Sequence, residues 1–368
     1  RTGIRTIELV HEKDNEGIIN VHMPQYAEIA IALPIDRTFH YLIPPQISGD
    51  VAVGKRVFVP FGPRTMVGYV ISLCDFIDIK DPKPILSVID KEPLLSSDMF
   101  KLAGWISENY FCSLGEAIAA AVPGGIKKGK TSIGSRLKNK HEEAVEYAKS
   151  DPHILMEEQS TALKEIETSI DKKEHRTFLL HGITASGKTE VYLQAINIAL
   201  AKGKQAIMLV PEISLTPQTV ERFISRFGAH VAVIHSALTD AKRFLEWKKI
   251  KEGKARIVVG ARSAIFVPFE NIGLIIVDEE HETSYKQDDV PRYHAREVAE
   301  ERARLNNCPL ILGSATPSLE SYYKAKQGEY KLIRLTKRVE ERLLPKVKIV
   351  DMRMELATRQ RITIFSKV

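Results

Sequence analysis

The sequence predicts an α/β fold: a parallel sheet with helices on both faces, preceded by a smaller β-rich module. Three observations predict it. From Thr177 onward, apolar β-type runs (FLL, QAIMLV, VAVIH, RIVVG, LIIVD, PLILG) recur with helical segments between most of them, the pattern of strands buried on both faces by crossover helices. Residues 182–189, GITASGKT, fit GxxxxGK[ST] where one of these strands meets a helix. Residues 23 to about 90 carry four shorter runs, AEIAIALPI, TFHYLIPP, KRVFVPFG and MVGYVISL, rich in β-branched and aromatic residues between Pro and Gly.

With 368 residues the chain is too long for one ordinary core. The expected division is 1–22, an extension of unknown role ahead of Met23; 23–125, the β-rich module with C-terminal helices; 126–157, a basic and polar linker; 158–345, the α/β lobe; and 346–368, the start of a further connection. No apolar run approaches the roughly 20 residues of a membrane helix, and residues 1–20 lack the apolar core of an export signal. Cys74, Cys112 and Cys308 are scattered, so they form neither a disulfide framework nor a paired metal motif, and a reducing compartment fits. The net charge of +6 suits a nucleic-acid partner without establishing one.

The helices of the first module follow from Ser96, Ser97 and Asp98, which offer a cap before MFKLAGWISENY, and from GEAIAAAV, which ends at Pro123. Residues 124–140 hold six Lys or Arg and no acid, which reads first as a solvated tether and second as a DNA-phosphate contact. Residues 141–173 read as polar and helical. In the lobe, TEVYLQAINIALAKG is a helix that Gly203 can terminate.

The loop Gly182, Ile183, Thr184, Ala185, Ser186, Gly187, Lys188 and Thr189 follows the strand FLLH and opens that helix. Its N–H groups can wrap phosphates, with the helix N-terminus adding positive dipole. Lys188 reaches the β- and γ-phosphates, and the Thr189 hydroxyl can hold Mg²⁺. LIIVDEEH is an apolar strand ending in acids. Asp278 can hold Mg²⁺, and Glu279 can polarise an attacking water.

Taken in order, GITASGKT, PEISLTPQ, GARSAIF, DEEH and GSATPS resemble the first motor lobe of superfamily 2 helicases, which implies a RecA-like lobe. KTEVYL, IHSALT, SYKQDDVPRYHARE and ATPSLES narrow the resemblance to the PriA family of replication-restart helicases. ALPIDRTFHYLIP, GKRVFVPFG and NYFCSLGEAIAAAVPGG are similar to that family's 3′-end DNA-binding domain. The resemblance implies ATP and Mg²⁺ as cofactors, with Lys188, Asp278, Glu279 and His281 catalytic. His281 would link the nucleotide site to Ser314 and Thr316. Arg262 and Ser263 would touch the DNA backbone, and Phe39 or Tyr41 a terminal base, although both could equally be core. Residues 284–296 interleave Tyr285 and Tyr293 with Lys286, Arg292 and Arg296, a composition that suits stacked bases and held phosphates. The implied activity is ATP-dependent 3′-to-5′ unwinding at stalled forks. The implied partners are forked and single-stranded DNA, primosome proteins, single-strand-binding protein and the replicative helicase, in a cytoplasmic, nucleoid-associated setting without a membrane.

Three departures stand out. The family's Phe-Asp-Tyr is Phe39-His40-Tyr41 here, so the reading of a 3′ end is altered. Too few residues lie between Pro123 and Glu158 for the family's winged helix. The second motor lobe, with its arginine finger and zinc-binding insertion, is not in the chain, so zinc is expected only in a missing C-terminal part. A rival reading is a nucleotide-gated fork-recognition scaffold that does not unwind. A transporter ATPase or kinase is disfavoured, because no LSGGQ-like segment occurs and GSATPS is a helicase feature.

Overall fold

A computed structural model describes residues 25–123, 148–339 and 353. The linker residues 124–147 and nearly all of 346–368 lie outside the described residues.

The first module is a five-stranded antiparallel sheet of β1 (Tyr26–Ile31), β2 (Phe39–Leu42), β3 (Arg56–Phe61), β4 (Arg64–Cys74) and β5 (Ser87–Val88). Its strand order is β2-β1-β4-β3-β5. The four sequence runs thus each form a strand, and alternation along them buries Ala27, Ile29, Val57, Val59 and Val70 on one side. Two helices follow, α1 (Ser97–Tyr110) and α2 (Leu114–Ala121). The Ser96 side chain caps α1 through the Met99 N–H, and Ser113 with Glu116 closes a capping box on α2. α2 lies directly on the end of β1: a Cβ on Gly115 would sit 1.9 Å from the Ile31 carbonyl oxygen, so only glycine permits this approach.

The lobe is a seven-stranded parallel sheet in the order β12-β6-β11-β10-β7-β9-β8. Its strands are β6 (Thr177–Gly182), β7 (Gln205–Leu209), β8 (Val231–Ile234), β9 (Ile257–Gly260), β10 (Ile272–Val277), β11 (Leu310–Ser314) and β12 (Lys331–Leu335). Helices α3 (Glu157–Lys172), α4 (Lys188–Ala201) and α5 (Pro217–Phe227) cover one face through Ile166, Val191, Ile196 and Phe223. The other face packs on α6 (Asp240–Lys251) and α7 (Ala295–Leu305). A further helix, α8 (Leu319–Gln327), precedes β12.

The apolar cluster on that second face also takes in Leu102 and Ile106 of α1 and Ile118 of α2, so the first module packs against the lobe through its helices. The seam has polar contacts as well. Lys251 donates to the Pro93 carbonyl oxygen, and the Tyr110 hydroxyl donates to Glu297.

Candidate functional site

The phosphate loop forms where β6 ends and α4 begins. Ala185 and Gly187 take left-handed backbone, with φ of 65° and 78°, which turns the chain tightly enough to start the helix at Lys188. Gln159 of α3 braces the loop, its Nε2 donating to the Ser186 carbonyl oxygen at 2.8 Å. A Cβ on Gly187 would fall 2.3 Å from that same nitrogen, so a side chain there would displace the brace. Lys188 Nζ folds back onto the Gly182 carbonyl oxygen at 2.7 Å. The Ser186 hydroxyl is buried without a hydrogen-bond partner, and an unpaired buried polar atom in such a loop is the expected trace of a polar ligand.

Asp278 and Glu279 follow the last residue of β10. Tyr192 of α4 donates to Asp278 Oδ1 at 3.0 Å. Burial, and then the charge of Glu279, push the Asp278 carboxyl up to about 6. Gly313 on the adjacent strand makes room for this contact, since a Cβ there would lie 1.6 Å from the Tyr192 hydroxyl. Glu279 holds φ of 44°, a strained setting for a residue with a Cβ. Lys188, Thr189, Asp278 and Glu279 line one cavity of about 640 Å³, with Met156 and Gln159 on one wall and Arg222 and Arg226 on another. An acid pair facing a threonine hydroxyl and a lysine fits Mg²⁺ carried with a nucleotide phosphate.

His281 touches both residues named with it: Nδ1 lies 2.8 Å from Ser314 Oγ, and Nε2 lies 3.3 Å from Thr316 Oγ1. Beside it, Glu280 has no exposed surface. Its Oε1 accepts the Ser318 N–H at 2.7 Å. Its Oε2 accepts from Ser318 Oγ at 3.1 Å, Ser321 Oγ at 2.8 Å and Arg296 Nη1 at 2.8 Å. Burial pushes this carboxyl up, but these donors outweigh it and hold it below its ordinary value.

The segment expected to meet DNA forms a hairpin closed by an antiparallel bridge between Lys286 and His294. Three expectations for it are corrected. Tyr285 and Tyr293 are 1% and 3% exposed, so in this conformation neither ring offers a face to a base. The Tyr285 hydroxyl donates to the Asp278 carbonyl oxygen at 2.6 Å, and Tyr293 packs edge-on to Phe266 at 5.1 Å. Arg296 is spent on Glu280 and Ser318, with its side chain 12% exposed. Arg262 is half-buried and donates to the carbonyl oxygens of Ser284 and Lys286, tying GARSAIF to the hairpin. Ser263, Lys286 and Arg292 are exposed. Ser263, the hairpin residues Gln287, Asp289, Val290 and Pro291 and the end of α2 line a common cleft of about 400 Å³.

In the first module, Tyr41 is a core residue, its hydroxyl donating to the Pro60 carbonyl oxygen at 3.1 Å. Phe39 is half-buried, edge-on to Phe61 at 5.2 Å, with the Arg37 guanidinium 5.1 Å from its ring centre. These residues, His40 and Lys83 line a pocket of about 390 Å³.

Sequence reasoning missed Gln159, Tyr192, Glu280 and Gly313. Glu280 carried a signal, because an acid following two functional acids and buried in a turn needs a cation. Gln159 and Tyr192 carried none, since their roles depend on where α3 and α4 cross the strand ends.

Among described residues, no helix is long and apolar enough to cross a membrane, and no cluster of three or more His, Cys, Asp or Glu could hold a metal ion. Residues 28–123 match the 3′ DNA-binding domain (3′BD) of PriA, and residues 156–325 match the DEAD/DEAH box helicase family. The replication restart protein PriA of Bacillus subtilis is 35% identical over 91% of this chain and 59% of its own length. That of Treponema pallidum is 40% identical over 92% of this chain and 51% of its own length. A structure of RecG bound to a three-way DNA junction is 26% identical, covers 52% of this chain and 25% of that chain, and has a TM-score of 0.40. The chain thus spans between half and three fifths of these two PriA relatives.

Proposed function

The chain belongs to the PriA family of replication restart proteins, and from that membership we propose that it forms the DNA-binding module and first motor lobe of an ATP-dependent 3′-to-5′ DNA helicase. The observation that carries this reading is the bond from Tyr285 of the hairpin to the Asp278 carbonyl oxygen. It joins a DNA-facing segment to the backbone of the hydrolysis acids.

The division of labour follows the cavity. Lys188 leaves the Gly182 carbonyl oxygen and holds the β- and γ-phosphates, while the loop N–H groups and Ser186 bind the remaining oxygens. Thr189 and Asp278 would hold Mg²⁺, which supplies charge neutralisation on the phosphoryl oxygens when bound. Glu279 orients the attacking water and accepts its proton. His281 reports the state of this site to Ser314 and Thr316. Ser263 in the cleft, with Lys286 and Arg292 on the exposed side of the hairpin, hold phosphates, a contact blind to sequence. The Phe39–His40 pocket takes a DNA end, with Arg37 and Lys83 beside Asp81 in its lining and no acid at position 40. The setting is a cytoplasmic one at stalled forks, with primosome proteins, single-strand-binding protein and the replicative helicase as partners.

One lobe builds only one wall of a nucleotide cleft that a second lobe's arginine completes, and such an arginine contributes roughly 10³–10⁵ in rate. Residues 1–368 should therefore bind nucleotide and DNA with hydrolysis near background, and the full-length protein should hydrolyse ATP and separate forked DNA. Steady-state ATPase and strand-separation assays on both test this. Absence of DNA-stimulated turnover in the full-length protein would overturn the reading. Robust turnover by residues 1–368, abolished in Lys188→Ala, would show that one lobe suffices or that a second copy supplies the missing arginine.

A further inference from the structure

Tyr110 is the last residue of α1, in the first module, yet its side chain lies against both strands of the lobe's hairpin. Its hydroxyl donates to the Glu297 carboxylate and accepts the His294 N–H at 3.1 Å. Lys286, which pairs with His294 across the base of the hairpin, places its ammonium 5.2 Å from the centre of the Tyr110 ring. Trp105, one turn back on α1, supports that ring edge-on at 5.9 Å. Burial and the Glu297 contact hold the phenol above its ordinary value, so it stays a proton donor.

The partners of this one side chain define a route. Glu297 and His294 are at the start of α7, one and two residues from Arg296, which is bonded to Glu280 and Ser318. Lys286 is next to Tyr285, whose hydroxyl holds the Asp278 carbonyl oxygen. A shift of α1 by a hydrogen-bond length therefore pulls on the hairpin base from both sides. One end of the hairpin is thus bonded to Asp278 itself and the other to Glu280, the neighbour of Glu279.

We propose that Tyr110 is a positioning residue that couples the first module to the nucleotide site, by setting the hairpin through Glu297, His294 and Lys286. This rests on the reading of the hairpin as DNA-responsive. Tyr110 itself touches neither the nucleotide cavity nor the ~400 Å³ cleft, so its effect is on the linkage between ligands and on neither affinity alone.

The test measures the affinity of residues 1–368 for mant-ADP, with and without saturating oligo-dT, in wild type, Tyr110→Phe, Glu297→Ala and the double variant. Phenylalanine keeps the ring beside Lys286 and removes only the hydroxyl. In wild type, oligo-dT should shift mant-ADP affinity by about 5-fold or more, the lower end of ordinary coupling. Each single variant should reduce that shift to about 2-fold or less, with mant-ADP affinity in the absence of DNA and oligo-dT affinity unchanged. The double variant should lose no more than either single, as two members of one contact do. A wild-type shift retained in both single variants overturns the inference and leaves the hairpin reading intact. No shift in wild type overturns the hairpin reading, and this inference with it. Equal loss of DNA-free nucleotide affinity and of coupling would make Tyr110 merely structural, and Glu297→Ala decides the matter if Tyr110→Phe does not fold.

Discussion

Replacing Arg296 by Ala separates the role the sequence suggested from the one the structure gives it. The substitution leaves Glu280 charged and wholly buried, with three remaining donors from Ser318 and Ser321. Removing one partner of a buried ion pair costs about 3–5 kcal/mol, chiefly because the abandoned charge stays out of water. The three surviving hydrogen bonds and the 12% exposure of Arg296 place this case at the low end, about 3 kcal/mol. For a lobe of this size that corresponds to a Tm lower by about 6–12 °C. Scanning calorimetry of residues 1–368 measures it. The sign can be checked with Glu280→Gln/Arg296→Met, which removes both charges and should recover most of the loss. Single-strand DNA binding provides the contrast. If Arg296 held a phosphate, its loss would lower the salt slope by about 0.7; the buried pair predicts no change in slope. An unchanged Tm together with a reduced slope would refute the reasoning and return Arg296 to the DNA.

Other substitutions probe the remaining contacts. Tyr285→Phe removes a buried hydroxyl bond and should cost about 1 kcal/mol by denaturant unfolding, whereas Tyr285→Ala opens a cavity and should cost about 3–5 kcal/mol. Lys188→Ala should weaken binding of mant-ADP to residues 1–368 in a fluorescence titration, leaving thermal stability nearly unchanged. Gly313→Ala forces Tyr192 away from Asp278 and should lower Tm in calorimetry by more than a surface Gly→Ala change such as Gly203→Ala.

The layered fold was legible because six of the seven strands of the lobe carry their own apolar run, whereas the edge strand β12, KLIRL, alternates with charge and went unread; the phosphate loop was legible because its glycines and lysine fall within eight residues. Ser96 announced the start of α1, and Gly203 the end of α4. The pairing of His281 with Ser314 and Thr316 came through the family resemblance, and the structure brings these side chains together. The hairpin was legible in position and misread in detail. Alternating Tyr and Arg look alike in a sequence whether the rings face solvent or core. Only the return of α7 against β10 decides that Tyr285 and Tyr293 turn inward and that Arg296 meets Glu280. Tyr110 was hidden for a related reason, since the two partners of its hydroxyl lie 187 and 184 residues away.

The most direct test of the account is phosphate release by the full-length protein on forked DNA in a single turnover, wild type against Glu279→Gln. An amide cannot accept the proton of the attacking water, so the account predicts that the variant binds ATP with wild-type affinity and releases no phosphate on the wild-type time scale. Release at a rate comparable to wild type would remove Glu279 from the chemistry and contradict the assignment of this cavity as the site of hydrolysis.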